Sequence, residues 1–228
     1  YTTQILNSFT HSSMKVVSLL NRKGGVGKST IACQLARGIQ LDGRDVLIVD
    51  TDAQGTASDW AESGDKDTPL VVKIDRATLE DDIPKAGQQY DVVIIDGAAK
   101  AERMNVSAVK ASDLVLIHVQ PSAVDIWPVK ETVEIIKTRQ EVTGRPQGAF
   151  VISRAITGTN LASSIGDVLD GLELSLLDAR THQRVAYAEA MGKGVGVMDL
   201  DGRDKATSEI EAMTNEVLDI LEQTPAVA

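Results

Sequence analysis

The sequence predicts a single doubly wound α/β domain, with a mainly parallel sheet flanked by helices. Three observations predict it. Short apolar runs alternate with longer amphipathic stretches along the whole chain. The apolar runs show little polar alternation, the mark of strands buried on both faces. Aromatic residues make up only 3% of the 228 residues, against 43% hydrophobic residues overall, so Val, Ile, Leu and Ala must fill the core. That composition suits a buried parallel sheet better than an aromatic-rich sandwich.

In chain order, Val16–Leu20 reads as the first strand, followed by a helix over 28–41. Val46–Val49 is a second strand, all aliphatic, with a helix over 55–63. Leu70–Ile74 is a third, with a helix over 77–88. Val92–Ile95 is four aliphatics in a row, followed by a helix over 102–111. Leu114–Val119 and Ala149–Ile152 are separated by a helix over 124–142. A helix over 160–170, a short strand near Leu174–Leu177 and helices over 182–191 and 204–222 complete the pattern. Regular β–α alternation implies parallel pairing and helices on both faces. No linker or repeat divides the chain, so residues 14–222 form one domain. Residues 1–13 read as an extension before a natural start at Met14, and 223–228 as a loose tail.

Composition excludes several classes. Cys33 is the only cysteine, so neither an internal disulfide nor a cysteine metal cluster can form. Within the first helix it reads as a small core residue. No apolar run approaches the ~20 residues of a membrane span, and residues 1–13 lack signal-peptide features. With 33 acidic and 23 basic residues and a net charge of −10, the chain does not coat nucleic acid by bulk charge, although a local basic patch is compatible with it.

In a doubly wound sheet, ligands bind beyond the carboxyl ends of the strands. The first strand runs into Asn21-Arg22-Lys23-Gly24-Gly25-Val26-Gly27-Lys28-Ser29-Thr30 and then a helix. Glycines let backbone N–H groups turn inward on phosphate oxygens, and the helix N-terminus adds its dipole. Lys28 can reach the β- and γ-phosphates of a nucleotide, and Ser29 can ligate Mg²⁺. The common G-x-x-x-x-G-K-[ST] pattern is broken at its first position by Arg22. The alternative is a glycine-rich turn without ligand.

Asp50 and Asp52 lie two apart just beyond the second strand, where both can face a metal–phosphate site. The alternative for each is a turn or helix cap. Asp96 ends the fourth strand in the manner of a Walker B aspartate, which holds Mg²⁺ or its water shell. Many parallel strands end in Asp, so this motif gains weight only from the phosphate loop before it.

KGGVGKST resembles the deviant Walker A loop of the ParA/MinD superfamily of P-loop ATPases. The resemblance spans about residues 14–222. Asp50-Thr51-Asp52-Ala53-Gln54 resembles its D-x-D-P-Q segment, with Ala53 for proline. Asp96-Gly97-Ala98-Ala99 departs from the usual D-x-P-P and resembles the small ParF-type plasmid partition branch. Pro121-Ser122-Ala123-Val124-Asp125 is similar to that branch's P-S-P-x-D segment, with Ser122 as a plain helix cap the alternative. Thr181–Tyr187 is similar to it as well.

The resemblance implies a slow ATP hydrolase that forms an ATP-sandwich homodimer. Lys23 would reach the partner's nucleotide, residues Gly24 to Thr30 would bind the phosphates, Asp50 would support Mg²⁺ and Asp52 would position the attacking water. It also implies segregation of plasmid or chromosomal DNA with a ParB-like or centromere-binding adaptor, non-specific binding of double-stranded DNA in the ATP state, and a cytoplasmic, nucleoid-associated location. MinD-type membrane attachment is not expected, because Glu216–Glu222 is acidic rather than basic. Candidate DNA contacts are Arg154, Arg180, Arg184, Lys193, Arg203 and Lys205. They are interleaved with carboxylates, so solvated surface charge is the alternative for each.

Three rival readings remain. One is a McdA-like ATPase that spaces a protein compartment. Another is a small-molecule ligase of the dethiobiotin-synthetase type. The third is a module that senses ATP without turnover.

Overall fold

The structure, a computed structural model, describes residues 14–64, 67–99, 101–122, 127–157, 168–201 and 205–224. Its elements are β1 (Lys15–Leu20), α1 (Lys28–Leu41), β2 (Val46–Asp50), α2 (Thr56–Ser63), β3 (Leu70–Lys73), α3 (Leu79–Ala86), β4 (Val92–Asp96), α4 (Glu102–Ala111), β5 (Leu114–Val119), α5 (Trp127–Thr143), β6 (Gln147–Ile152), β7 (Ser175–Leu176), α6 (Val185–Lys193) and α7 (Lys205–Gln223). A short 3-10 turn, Val197–Asp199, precedes α7. Every strand expected from the sequence is present. Of the helix expected over 160–170, residues 168–170 are helical and the rest lies outside the described residues.

The seven strands form one sheet in the order β3-β2-β4-β1-β5-β6-β7. All pairings are parallel. Alternation along each strand divides the core into two layers. Val17 and Leu19 of β1 and Ile94 of β4 pack with α1, α2, α6 and α7. Val16, Leu20, Val93 and Ile95 pack with α3, α4 and α5 on the other face. Cys33 is fully buried in the first layer, and burial pushes its thiol well above its ordinary value. This fits a packing role.

The chain enters the sheet at its middle and switches direction around β1. The carboxyl ends of β1, β2 and β4 therefore meet on one rim, with Asp50 in register with Asp96, and Asp96 with Leu19. β5 and β6 extend the same rim. Glycine at position 97 has a steric reason. A Cβ there would lie 2.6 Å from the Leu19 carbonyl oxygen, while the Gly97 N–H donates to that oxygen at 3.1 Å. At the other end, Thr224 is buried. Its carbonyl accepts from Lys15 Nζ at 2.7 Å. Packed structure thus reaches Thr224, inside the segment read from sequence as tail. The first thirteen residues and 225–228 lie outside the described residues.

Candidate functional site

The phosphate loop occupies the turn between β1 and α1. Gly25 and Gly27 take left-handed φ angles of 72° and 97°, which L side chains rarely adopt. Asn21 roots the loop: its Oδ1 accepts from Lys23 N at 2.8 Å, and its Nδ2 donates to the His118 carbonyl. The start of α1 has no side-chain cap and no acidic residue in its first turn. Its orphan N–H groups and dipole are thus directed at whatever enters the loop. Lys28 is buried, and its Nζ donates to the Lys23 carbonyl at 3.3 Å. Burial lowers its pKa, with Asp96 and Asp52 pulling the other way. Lys23 itself is exposed.

The three aspartates take different environments. Asp50 is fully buried and its oxygens are committed. Oδ1 accepts from Asp52 N at 3.0 Å; Oδ2 accepts from Ser58 N at 3.1 Å and Ser58 Oγ at 2.9 Å. It ties β2 to the start of α2. Asp52 is half-buried, accepts from Gln54 N at 3.0 Å and lines the phosphate cleft. Asp96 is fully buried, and neither of its oxygens has a hydrogen-bond partner among the described residues. Burial pushes its carboxyl up to about 7. The nearby Ser29 hydroxyl opposes this without closing a hydrogen bond, as does Lys28, while Asp50 and Asp52 add to it.

A buried carboxyl with two open oxygens, beside a hydroxyl and a lysine, is a donor set that fits Mg²⁺ on a phosphate. Ser29 and Asp96 would hold the ion, directly or through its water, with Asp50 behind them. When bound it would neutralise charge on the phosphates. The cleft above the loop has a volume of about 560 Å³ and is lined by Gly24 to Thr30, except Val26, with Asp52, Gln54 and Arg154 among its other walls. Away from this loop, a cleft of about 650 Å³ lies between α1 and α7 around Gly38 and Thr214. It contains none of the chemically distinctive residues.

The structure adds four residues that sequence reading did not assign to the site. Gln120 Nε2 donates to the Val26 carbonyl at 3.1 Å, and Arg154 Nη1 to the Gly25 carbonyl at 3.2 Å. Beneath them His118 is fully buried, with Nε2 against Ser153 Oγ. Burial, helped by Lys28 and Arg154, lowers its pKa to about 3, so the ring is neutral at physiological pH. A polar residue near the carboxyl end of an otherwise aliphatic strand was the available signal for His118. A second cleft of about 580 Å³ opens beside these residues, walled by Pro121, Ile156, Tyr187 and Met191 among others.

The remaining DNA candidates are placed as follows. Arg184 donates twice to Glu209 Oε1, at 2.6 and 3.0 Å, and His182 and Tyr187 bond the same carboxylate. Burial works against the charge of Glu209, but these donors outweigh it and hold its pKa low. Lys193 pairs with Glu189 at 2.7 Å. Arg180 donates to the Asp178 carbonyl at 3.4 Å. Lys205 is exposed at the start of α7. Arg203 and residues 123–125 lie outside the described residues. No helix among the described residues is long and apolar enough to cross a membrane.

Compared with known proteins, residues 17–228 match the model of the CobQ/CobB/MinD/ParA nucleotide binding domain. The chain is 27% identical over 207 residues to maintenance of carboxysome distribution protein A of Halothiobacillus neapolitanus, covering 89% of this chain and 95% of that protein. It is 30% identical over 170 residues to protein ParA of Rhizobium radiobacter, covering 72% and 73%. The septum site-determining protein MinD of Pyrococcus horikoshii, solved with Mg-ADP, superposes with a TM-score of 0.72 at 16% identity, covering 94% of this chain and all of that one. At that identity the likeness speaks for the fold.

Proposed function

Because the chain belongs to the CobQ/CobB/MinD/ParA nucleotide-binding family, we propose that it is a ParA-like positioning ATPase that dimerises around ATP and binds DNA without sequence preference. The observation that carries this is the open, buried carboxylate of Asp96 facing Lys28 under an uncapped glycine loop. Lys28 and the loop N–H groups hold the phosphates, Asp52 orients the attacking water, and Lys23 completes the site of a second subunit. Hydrolysis then releases the dimer. The slow cycle waits on an adaptor, ParB-like if the cargo is plasmid or chromosomal DNA. The place of work is the cytoplasm, on the nucleoid.

A second reading shares this chemistry but changes the cargo to a protein compartment. It is favoured by similarity over nearly the whole length of the carboxysome distribution protein. Genomic neighbours, or the partner recovered with the ATP-bound protein, separate the two. A ligase reading is compatible with the family name but finds no support in the two relatives above, whose names are those of distribution and ParA proteins.

The dimer is tested by light scattering. Wild-type protein should double its mass with ATP and not with ADP, and Lys23→Ala should stay monomeric. Undiminished dimerisation of Lys23→Ala would refute the shared site.

A further inference from the structure

We propose that Arg154 holds the α-phosphate of the bound nucleotide, an assignment that rests on the nucleotide reading above. The phosphate cleft and the second cleft share three lining residues: Gly27, Thr30 and Arg154. A nucleotide with its terminal phosphates near Lys28 and Asp96 and its nucleoside in the second cleft must cross that junction. The group at the crossing is the α-phosphate, and Arg154 is the cation there.

The backbone fixes the arginine in place. Arg154 takes a left-handed φ of 51°, a conformation that side chains keep only when their surroundings impose it. Here they do. Ser153 N donates to the Val119 carbonyl at 2.9 Å, Ala155 N to the Thr181 carbonyl at 2.9 Å, and Gln183 N to the Ala155 carbonyl at 3.1 Å. The buried His118–Ser153 pair pins the turn from below. The side chain then lies over the loop: a Cβ added to Gly27 would sit 3.6 Å from Arg154 Nε and 3.7 Å from Nη2. A guanidinium has five N–H donors in a fixed fork, so the bond to Gly25 does not exhaust it. A residue meant only for a distant DNA contact would need neither this strain nor this anchorage.

The test is calorimetric titration of wild type, Arg154→Gln and Arg154→Lys with AMP, ADP, ATP and adenosine, with Lys28→Ala as a loop control. Glutamine keeps an N–H for the Gly25 carbonyl but removes the charge. Arg154→Gln should weaken AMP, ADP and ATP alike by about tenfold or more, the scale of one charge-assisted hydrogen bond. It should leave adenosine unchanged, and Lys should restore part of the loss. Should Arg154→Gln lower the unfolding temperature of the free protein, Arg154→Gly, which relieves the backbone, takes its place with the same expected losses. Wild-type affinity in either stable variant would reduce Arg154 to a brace and overturn the assignment. A loss confined to ATP, or sparing AMP, would move the contact to another phosphate and also overturn it. Failure of wild type to bind any nucleotide would instead sink the nucleotide reading itself.

Discussion

Asp96 concentrates the chemistry of the site in one side chain. Its folded pKa of about 7 lies above the ~3.9 of an exposed aspartate. The folded protein therefore binds a proton that the unfolded chain releases. The stabilisation is complete below pH ~4 and is lost as pH rises to about 7. At ~1.4 kcal/mol per unit, the loss is a few kcal/mol. Urea unfolding of the metal-free protein should show wild type losing stability against Asp96→Asn between pH 4.5 and 7.5. Parallel curves would mean that the carboxylate is not desolvated as described. Asp96 was legible in sequence because its neighbours on the chain announce it. Asp50 was legible as a position but not as an environment: the sequence does not tell that Ser58, eight residues on, takes up its Oδ2.

Among the elements, the strands were legible because their runs are mostly aliphatic and each ends at a polar or turn residue. The phosphate loop was legible because it is contiguous. Gln120, Ser153 and Arg154 were not assigned to the site, since they reach it from the ends of β5 and β6 only through the sheet order, which is a tertiary fact. The packing of α1 on α7 is similarly hidden. A Cβ on Gly38 would overlap Thr214 Oγ1, itself buried without a hydrogen-bond partner among the described residues. Gly38→Ala should therefore destabilise by about 1–2 kcal/mol through overpacking, despite the better helix propensity of alanine. Adding Thr214→Ala should recover that loss. The check is a double-mutant cycle in denaturant, where strict additivity would show that the two helices do not meet at this point.

At the scale of the whole molecule, the doubly wound sheet gathers the ends of five strands on one rim and leaves the surface acidic, at −10 overall. Arg184 and Lys193, expected at DNA, already have carboxylate partners, and Arg154 sits on the phosphate loop. On the proposed reading, DNA binding would depend on joining the modest positive charge of two subunits, which would make it contingent on ATP and sensitive to salt. The most direct measurement is a gel shift of the purified protein on arbitrary double-stranded DNA, with ATP, ADP or no nucleotide, at low and moderate salt. Retardation with ATP alone, fading as salt rises, is the expected result for an ATP-switched positioning protein. No retardation in any nucleotide state, with ATP binding verified in the same samples, would contradict it.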